Sequence, residues 1–305
     1  MFQAIAKNKA KTTMIVGVIF IFFAAVIYFI SYFLLEMGYI AAVYGVLVAF
    51  LISFGAYWNS HKIVLSMHKA RPATPEQDAK LKNILEGLCI AAGTPIPALY
   101  VMEDPALNAF ATGRNPNNAV ICVTTGLLDT LDYYQLEGVV AHELAHIKNY
   151  DILLQTVAGI MIGAAMIAAQ MASRMMFWGG GNRGGNRGGN SRGGGGYVQI
   201  AIFAIGIIFI ILAPIAGQLL KMSLSRNREF LADATAAEFT RNPEGLASAL
   251  EVIGGNKVPL RSSTSATEGL YIATPRAEIG SKKSSNLFST HPPIAKRVEA
   301  LRNLR

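Results

Sequence analysis

Four stretches of the chain run almost without polar interruption: Met14 to Leu35, Ile40 to Trp58, Leu153 to Ala172 and Val198 to Leu220. None contains a charged residue, and each approaches or exceeds the roughly 20 residues that carry a helix across a bilayer. The pattern predicts four hydrophobic segments, the first two crossing the membrane and the last two either crossing it or returning to the same side as re-entrant or surface helices. A cleaved leader is a poorer reading of the first stretch, which is too long and has no small-x-small site after it. Between the second and third stretches the pattern changes. Pro75 to Cys89 reads as an amphipathic helix, while Leu99–Met102 and Ala119–Val123 read as short strands, the second preceded by a turn at Asn115–Asn118. Asn108–Ala111 is a further short extended piece. The expected fold class is an α+β membrane protein, mainly helical, with a small β-sheet or hairpin.

Composition agrees with the pattern: 52% of the 305 residues are hydrophobic and 15% are charged. Lys7, Lys9 and Lys11 precede the first stretch, and His61, Lys62, Lys69 and Arg71 follow the second, whereas the connection between them holds Glu36. The positive-inside rule therefore places the amino terminus and the segment after Trp58 on the cytoplasmic side. The net charge of +8 is accounted for by this asymmetry and by contact with anionic lipid, so no nucleic-acid partner is needed. Residues 179–196 are Gly, Asn and Arg with a lone Ser191, and include three Arg-Gly-Gly triplets. Without aromatics and between two hydrophobic stretches, they read as a flexible connector rather than an RNA-binding segment. Their arginines run against the positive-inside rule. Cys89 and Cys122 lack metal-ligand spacing and read as small buried apolar residues, in keeping with a reducing compartment.

The chemistry is concentrated at His142-Glu143-Leu144-Ala145-His146. On a helix, positions four apart share a face, so both imidazoles reach one ion, and Glu143 can hold the water that the ion activates. This is the pattern of zinc-dependent peptide-bond hydrolysis. A catalytic zinc needs a third protein ligand and an open fourth position. Glu229, in Arg228-Glu229-Phe230-Leu231-Ala232-Asp233, can supply it, with Asp233 one turn on accepting a hydrogen bond from a ligand imidazole. The same spacing also fits a solvated helix face paired with Arg226 and Arg228. His146 lies seven residues before the third stretch and Glu229 nine after the fourth, which puts the ion about 10–15 Å from the membrane surface if both helices run into it.

A peptidase must also hold an extended substrate, and an exposed strand edge does so by pairing with it. Asn108, Ala109 and Phe110 are the candidates for that edge, although the same stretch also fits hairpin packing with a turn-forming Asn. Late in the chain, His291 precedes Pro292-Pro293, a rigid helix start, and Arg297 follows about one turn in. A histidine or arginine aimed at the oxygen of a tetrahedral intermediate stabilises its charge, although His291 also fits a helix neighbour with no chemistry. His61 and His68, beside basic residues, read as interfacial and inert.

The stretches Asn108–Gly113, His142–His146, Arg228–Asp233 and Ser289–Pro293, in this order and with two amino-terminal hydrophobic segments and a later hydrophobic hairpin, closely resemble the HtpX-type membrane-bound zinc metallopeptidases. The CAAX prenyl proteases are more distant kin. The resemblance implies a gluzincin-type catalytic domain holding one Zn2+ on His142, His146 and Glu229, with Glu143 as general base and acid. It also implies Asp233 behind a ligand, His291 and Arg297 facing the intermediate, and membrane-protein or other polypeptide substrates. The implied setting is the bacterial inner membrane, with cleavage of misfolded or damaged membrane proteins on the cytoplasmic side. The expected organisation is a transmembrane hairpin over 1–59, a catalytic part over 60–152, a hydrophobic hairpin over 153–222, and a ligand-bearing carboxyl-terminal part over 223–305. No ATP-binding loop of the GxxxxGK[ST] kind occurs. A CAAX-type processing peptidase is a weaker reading because those enzymes have more spans. A zinc-stabilised scaffold is weaker because structural sites are closed by a fourth protein ligand.

Overall fold

A computed structural model of the chain describes residues 40–157, 226–261, 270–273 and 292–304, with isolated positions between 10 and 28. The connector at 179–196, the stretches 158–172 and 198–220, most of 14–35, and His291 lie outside the described residues. The chain divides into two compact units, one of residues 1–10, 59–160 and 220–305, the other of 11–58 and 161–219.

In the second of these units, helix α1 (Ile40–Trp58) has the bounds of the second predicted stretch. Ile40, Val43, Leu47, Phe50 and Phe54 are each at least half exposed along it. Phe54 stacks on Phe50 and on Trp58, with ring centroids 5.8 and 5.1 Å apart. Among the described residues, no helix is long and apolar enough to cross a membrane. Six of the nineteen positions of α1 lie outside the described side chains.

The other unit opens with helix α2 (Ser60–Met67) and a two-residue strand β1 (Arg71–Pro72). Helix α3 (Pro75–Ala92) starts where expected, because Thr74 and Gln77 form a capping box around Pro75. It stops at Gly93, whose φ of 63° ends the helix in the left-handed region. Strands β2 (Ala98–Met102), β3 (Ala109–Gly113) and β4 (Ala119–Thr124) complete a sheet of order β1-β2-β4-β3. A single 3-10 turn at Pro116–Asn118 reverses the chain between β3 and β4, which pair antiparallel with Phe110 opposite Cys122. β2 and β4 run parallel, so the β3–β4 hairpin is part of a mixed sheet with β3 at its edge.

Helix α4 (Thr125–Thr130) leads to α5 (Tyr133–Lys148), which Asp132 and Gln135 open with a second capping box. The helices α6 (Arg226–Thr240), α7 (Pro243–Gly255) and α8 (Ile294–Arg302) follow. From Gly138 to Ile147 every residue of α5 is buried, so His142, Glu143 and His146 face the interior rather than water. Leu136, Val139, Val140, Leu144 and Ile147 are fully inaccessible, and burying each such side chain contributes on the order of 1.5–3 kcal/mol. Against them pack α3, the sheet, and Ala232, Ala236, Leu246, Leu250, Val298 and Leu301 of the later helices. Gly138 permits a close approach of α7: a Cβ there would lie 2.6 Å from the backbone nitrogen of Leu246.

Cys89 and Cys122 are buried free thiols, and burial raises the pKa of each. His68 departs from expectation. Rather than lying at an interface, it is buried against the rings of Phe110 and Tyr271, and its Nδ1 is hydrogen-bonded to the Tyr271 hydroxyl at 2.9 Å. Its neighbours in space are 42 and 203 residues away in sequence, beyond the reach of any local pattern.

Candidate metal centre

The capping box at Asp132 and the apolar sides of α5 fix where its third and fourth turns point. His142 and His146 share one face, with their rings perpendicular and their Nε2 atoms 3.2 Å apart. Glu229, in the first turn of α6, brings its carboxylate to the same place. One oxygen lies 3.6 Å from His146 Nε2 and the other 3.8 Å from His142 Nε2. One ligand atom from each of the three lies within 4.8 Å of the others, and all three residues are buried. Two imidazole nitrogens bound to one tetrahedral zinc at 2.0–2.1 Å stand about 3.3 Å apart. The nitrogen pair already has that spacing, and the carboxylate is only a few tenths of an ångström wider. The residues fit a divalent ion of this kind.

Behind each imidazole stands a carboxylate, and behind each carboxylate an arginine. His142 Nδ1 lies 2.9 Å from Asp233 Oδ1. The Arg297 guanidinium grips Asp233 with both forks, Nη2 donating to Oδ1 at 2.7 Å and Nε to Oδ2 at 2.8 Å. On the other side, His146 Nδ1 lies 3.1 Å from Asp151 Oδ2, and Asp151 Oδ1 accepts from Arg228 Nη1 at 3.3 Å. With Nδ1–H donated to a carboxylate, the lone pair of each Nε2 is turned to the shared space.

Burial pushes His142 down to about 4, against the opposing pull of Asp233. Burial would lower His146 too, but the hydrogen bond to Asp151 and the charges of Glu229, Asp151 and Glu143 outweigh it and raise the group to about 9. Burial pushes Glu143 up to about 7, with His146 and Arg297 opposing, Glu229 adding, and a hydrogen bond from the Ala111 backbone opposing. Asp233 would rise on burial alone; the charge and hydrogen bonds of Arg297, helped by His142, hold it below the usual carboxylate range. A carboxyl poised near neutrality beside a three-ligand cluster has the properties of a group that takes up and returns protons.

Arg297 and the β3 edge both have partners within the chain. Arg297, expected to face a reaction intermediate, is fully buried. Its Nε and Nη2 serve Asp233, and its Nη1 donates to the carbonyl of Ile272 at 2.8 Å. The edge at Asn108, Ala109 and Phe110 is not open. Ile272 N donates to the carbonyl of Ala109 at 3.0 Å, Phe110 and Tyr271 form an antiparallel bridge, and Asn108 Nδ2 donates to the carbonyl of Ala273 at 3.1 Å. The covering segment, residues 270–273, is itself buried. A strand edge binds whichever chain offers the right groups, and here part of the same chain does so.

Local spacing does not announce Asp151 as a partner of His146, because it is five positions on, off the face that an unbroken helix would give it. The break is at Tyr150, whose φ of 60° places a non-glycine residue in the left-handed region. Helical backbone resumes at 151–157.

The profile of Peptidase family M48 matches residues 75–305. A protein named Protease HtpX homolog from Dictyoglomus thermophilum is 44% identical over 99% of this chain and 94% of its own length. One of the same name from Streptococcus uberis is 38% identical over the whole of both chains. The crystal structure of S. mikatae Ste24p superposes with a TM-score of 0.49 at 15% identity, covering 97% of this chain and 66% of that one. The family match encloses all the residues of the cluster, and by it and these relatives the chain belongs to Peptidase family M48 and is a metalloprotease.

Proposed function

We propose that this protein is a membrane-bound zinc endopeptidase that cleaves misfolded or damaged membrane proteins at the cytoplasmic face of the bacterial inner membrane. The observation that carries the catalytic part is the convergence of His142, His146 and Glu229 on one point, with Glu143 buried beside it and outside the ligand set. Among the described residues the cluster offers three ligands, the number that an open, catalytic site has. The membrane part rests on the four uncharged hydrophobic stretches, on the apolar exterior of α1 and on relatives named as HtpX proteases.

In this reading His142, His146 and Glu229 hold the zinc. When bound, the ion supplies a Lewis acid that acidifies water and polarises the scissile carbonyl. Glu143 takes the proton of the attacking water and hands it to the leaving amine. Asp233 keeps His142 in the binding tautomer, and Arg297 keeps Asp233 in place, so Arg297 acts by positioning. His291, just before α8, donates to the oxygen that gains charge. The substrate runs extended along β3, pairing at Ala109 in place of Ile272, so the 270–273 segment must yield as substrate enters.

The test is zinc content and casein cleavage for the detergent-purified protein beside Glu143→Gln. One zinc per chain in both, with cleavage by the wild type only and a loss of about 10²-fold or more in the variant, is expected. Wild-type cleavage by Glu143→Gln would overturn the assignment of the base. Absence of zinc from both would overturn the site.

A further inference from the structure

We infer that Asp151, braced by Arg228, is a positioning residue for the metal ligand His146, and that the left-handed backbone at Tyr150 exists to bring it there. The inference rests on the reading of His146 as a ligand. α5 ends at Lys148 with Asn149 as its cap, and a continuous helix would carry the next residues along the axis and away from the imidazole. The turn at Tyr150, with φ 60°, is unfavourable for a bulky side chain, and such conformations persist where the surroundings hold them. Its effect is visible in the next residue: the carboxylate of Asp151 folds back to 3.1 Å from His146 Nδ1. Asp151 is 1% exposed, so its charge is withdrawn from water and must be matched. Arg228 does so at 3.3 Å from the other oxygen. Arg228 immediately precedes Glu229, so one turn of α6 supplies both a ligand and the brace for the group behind another ligand. The arrangement parallels Arg297–Asp233–His142 on the opposite side. Each histidine thus has its own arginine-backed carboxylate, and the two Nε2 atoms are aimed at each other's space by independent supports.

The experiment is zinc affinity by chelator competition, on the full chain in detergent, for wild type, Asp151→Asn, Arg228→Gln and His146→Ala, with the Co2+ absorption spectrum as a second readout. Loss of a carboxylate behind a ligand histidine lowers metal affinity by about 10–100-fold. That loss is expected for Asp151→Asn, a smaller one for Arg228→Gln, and a shifted Co2+ spectrum for both. A merely structural role would lower the melting temperature of the metal-free protein and leave affinity and spectrum as they are, which overturns the inference. If Asp151→Asn does not fold, Arg228→Gln decides by the same two readouts. Wild-type affinity in His146→Ala would overturn the underlying ligand assignment instead, a result distinct from wild-type affinity in Asp151→Asn alone.

Discussion

Arg297 joins Asp233 to Ile272: one guanidinium holds the carboxylate behind a candidate metal ligand on one edge and, on the other, the carbonyl of the segment that covers β3. The candidate metal cluster and the segment over β3 are therefore fastened by one fully buried cation. Replacing it by an apolar residue leaves Asp233 charged and buried without its partner, which costs about 3–5 kcal/mol. Arg297→Met is expected to lower stability by that order in a denaturant titration and to weaken zinc binding. Arg297→Lys is expected to recover only part of both, because an ammonium cannot span two oxygens and a carbonyl with a planar fork. Full recovery by lysine would mean that charge, not geometry, is what the site requires.

The covering segment makes a separate prediction. Residues 270–273 are held on β3 by the Ile272–Ala109 bond, by Asn108 and by the Tyr271 hydroxyl on His68. Tyr271→Phe removes the last of these and keeps the ring packing against Phe110. A net hydrogen bond is worth about 1 kcal/mol, or roughly a fivefold change in an equilibrium at room temperature. If substrate displaces this segment, KM for an unfolded-protein substrate should fall by up to about that factor while kcat holds. An unchanged KM would show that substrate binds without displacing it.

What the sequence made legible is what local spacing encodes. His142 and His146 are four apart on one helix, as are Glu229 and Asp233, and helical periodicity is enough to put each pair on one face. The capping boxes at Thr74 and Asp132 are likewise written within four residues. The short strands were visible from their apolar runs, but the parallel β2–β4 pairing was not, because pairing is decided by contacts across the chain. Asp151 was hidden by a single left-handed residue that breaks the helical register. The partners of Arg297 were hidden by distance: Asp233 is 64 residues away and Ile272 25. Residues 270–273 are a short apolar run between Gly269 and Pro275, which is a local strand signal, but which edge they cover is decided by contacts across the chain.

Helix packing at the centre sets a third expectation. Gly138 lies one turn before His142, and any Cβ there would meet the backbone of Leu246 at 2.6–2.7 Å. Backbone cannot rotate away as a side chain does, so Gly138→Ala must part α5 from α7. Overpacking of this kind typically costs about 1–3 kcal/mol. The expected result is a lower melting temperature with zinc affinity reduced far less than in a ligand variant. A stable Gly138→Ala protein would mean that the two helices separate without penalty.

Removal of the metal should destabilise the protein itself. The described core holds Glu143, Glu229, Asp233 and Asp151 near His142 and His146, all at most 4% exposed, and a bound cation offsets that concentration of buried acid. A ligand that binds only the folded state stabilises it in proportion to the logarithm of its free concentration over Kd, about 4 kcal/mol at a thousandfold excess. Chelation is therefore expected to lower the thermal midpoint by several degrees, and added zinc to restore it. Glu143→Gln, which leaves all three candidate ligands intact, should show the same chelator-dependent shift as wild type. Glu229→Gln, which removes one of them, should show a much smaller one. Equal shifts in all three proteins would place the stabilising metal somewhere other than His142, His146 and Glu229.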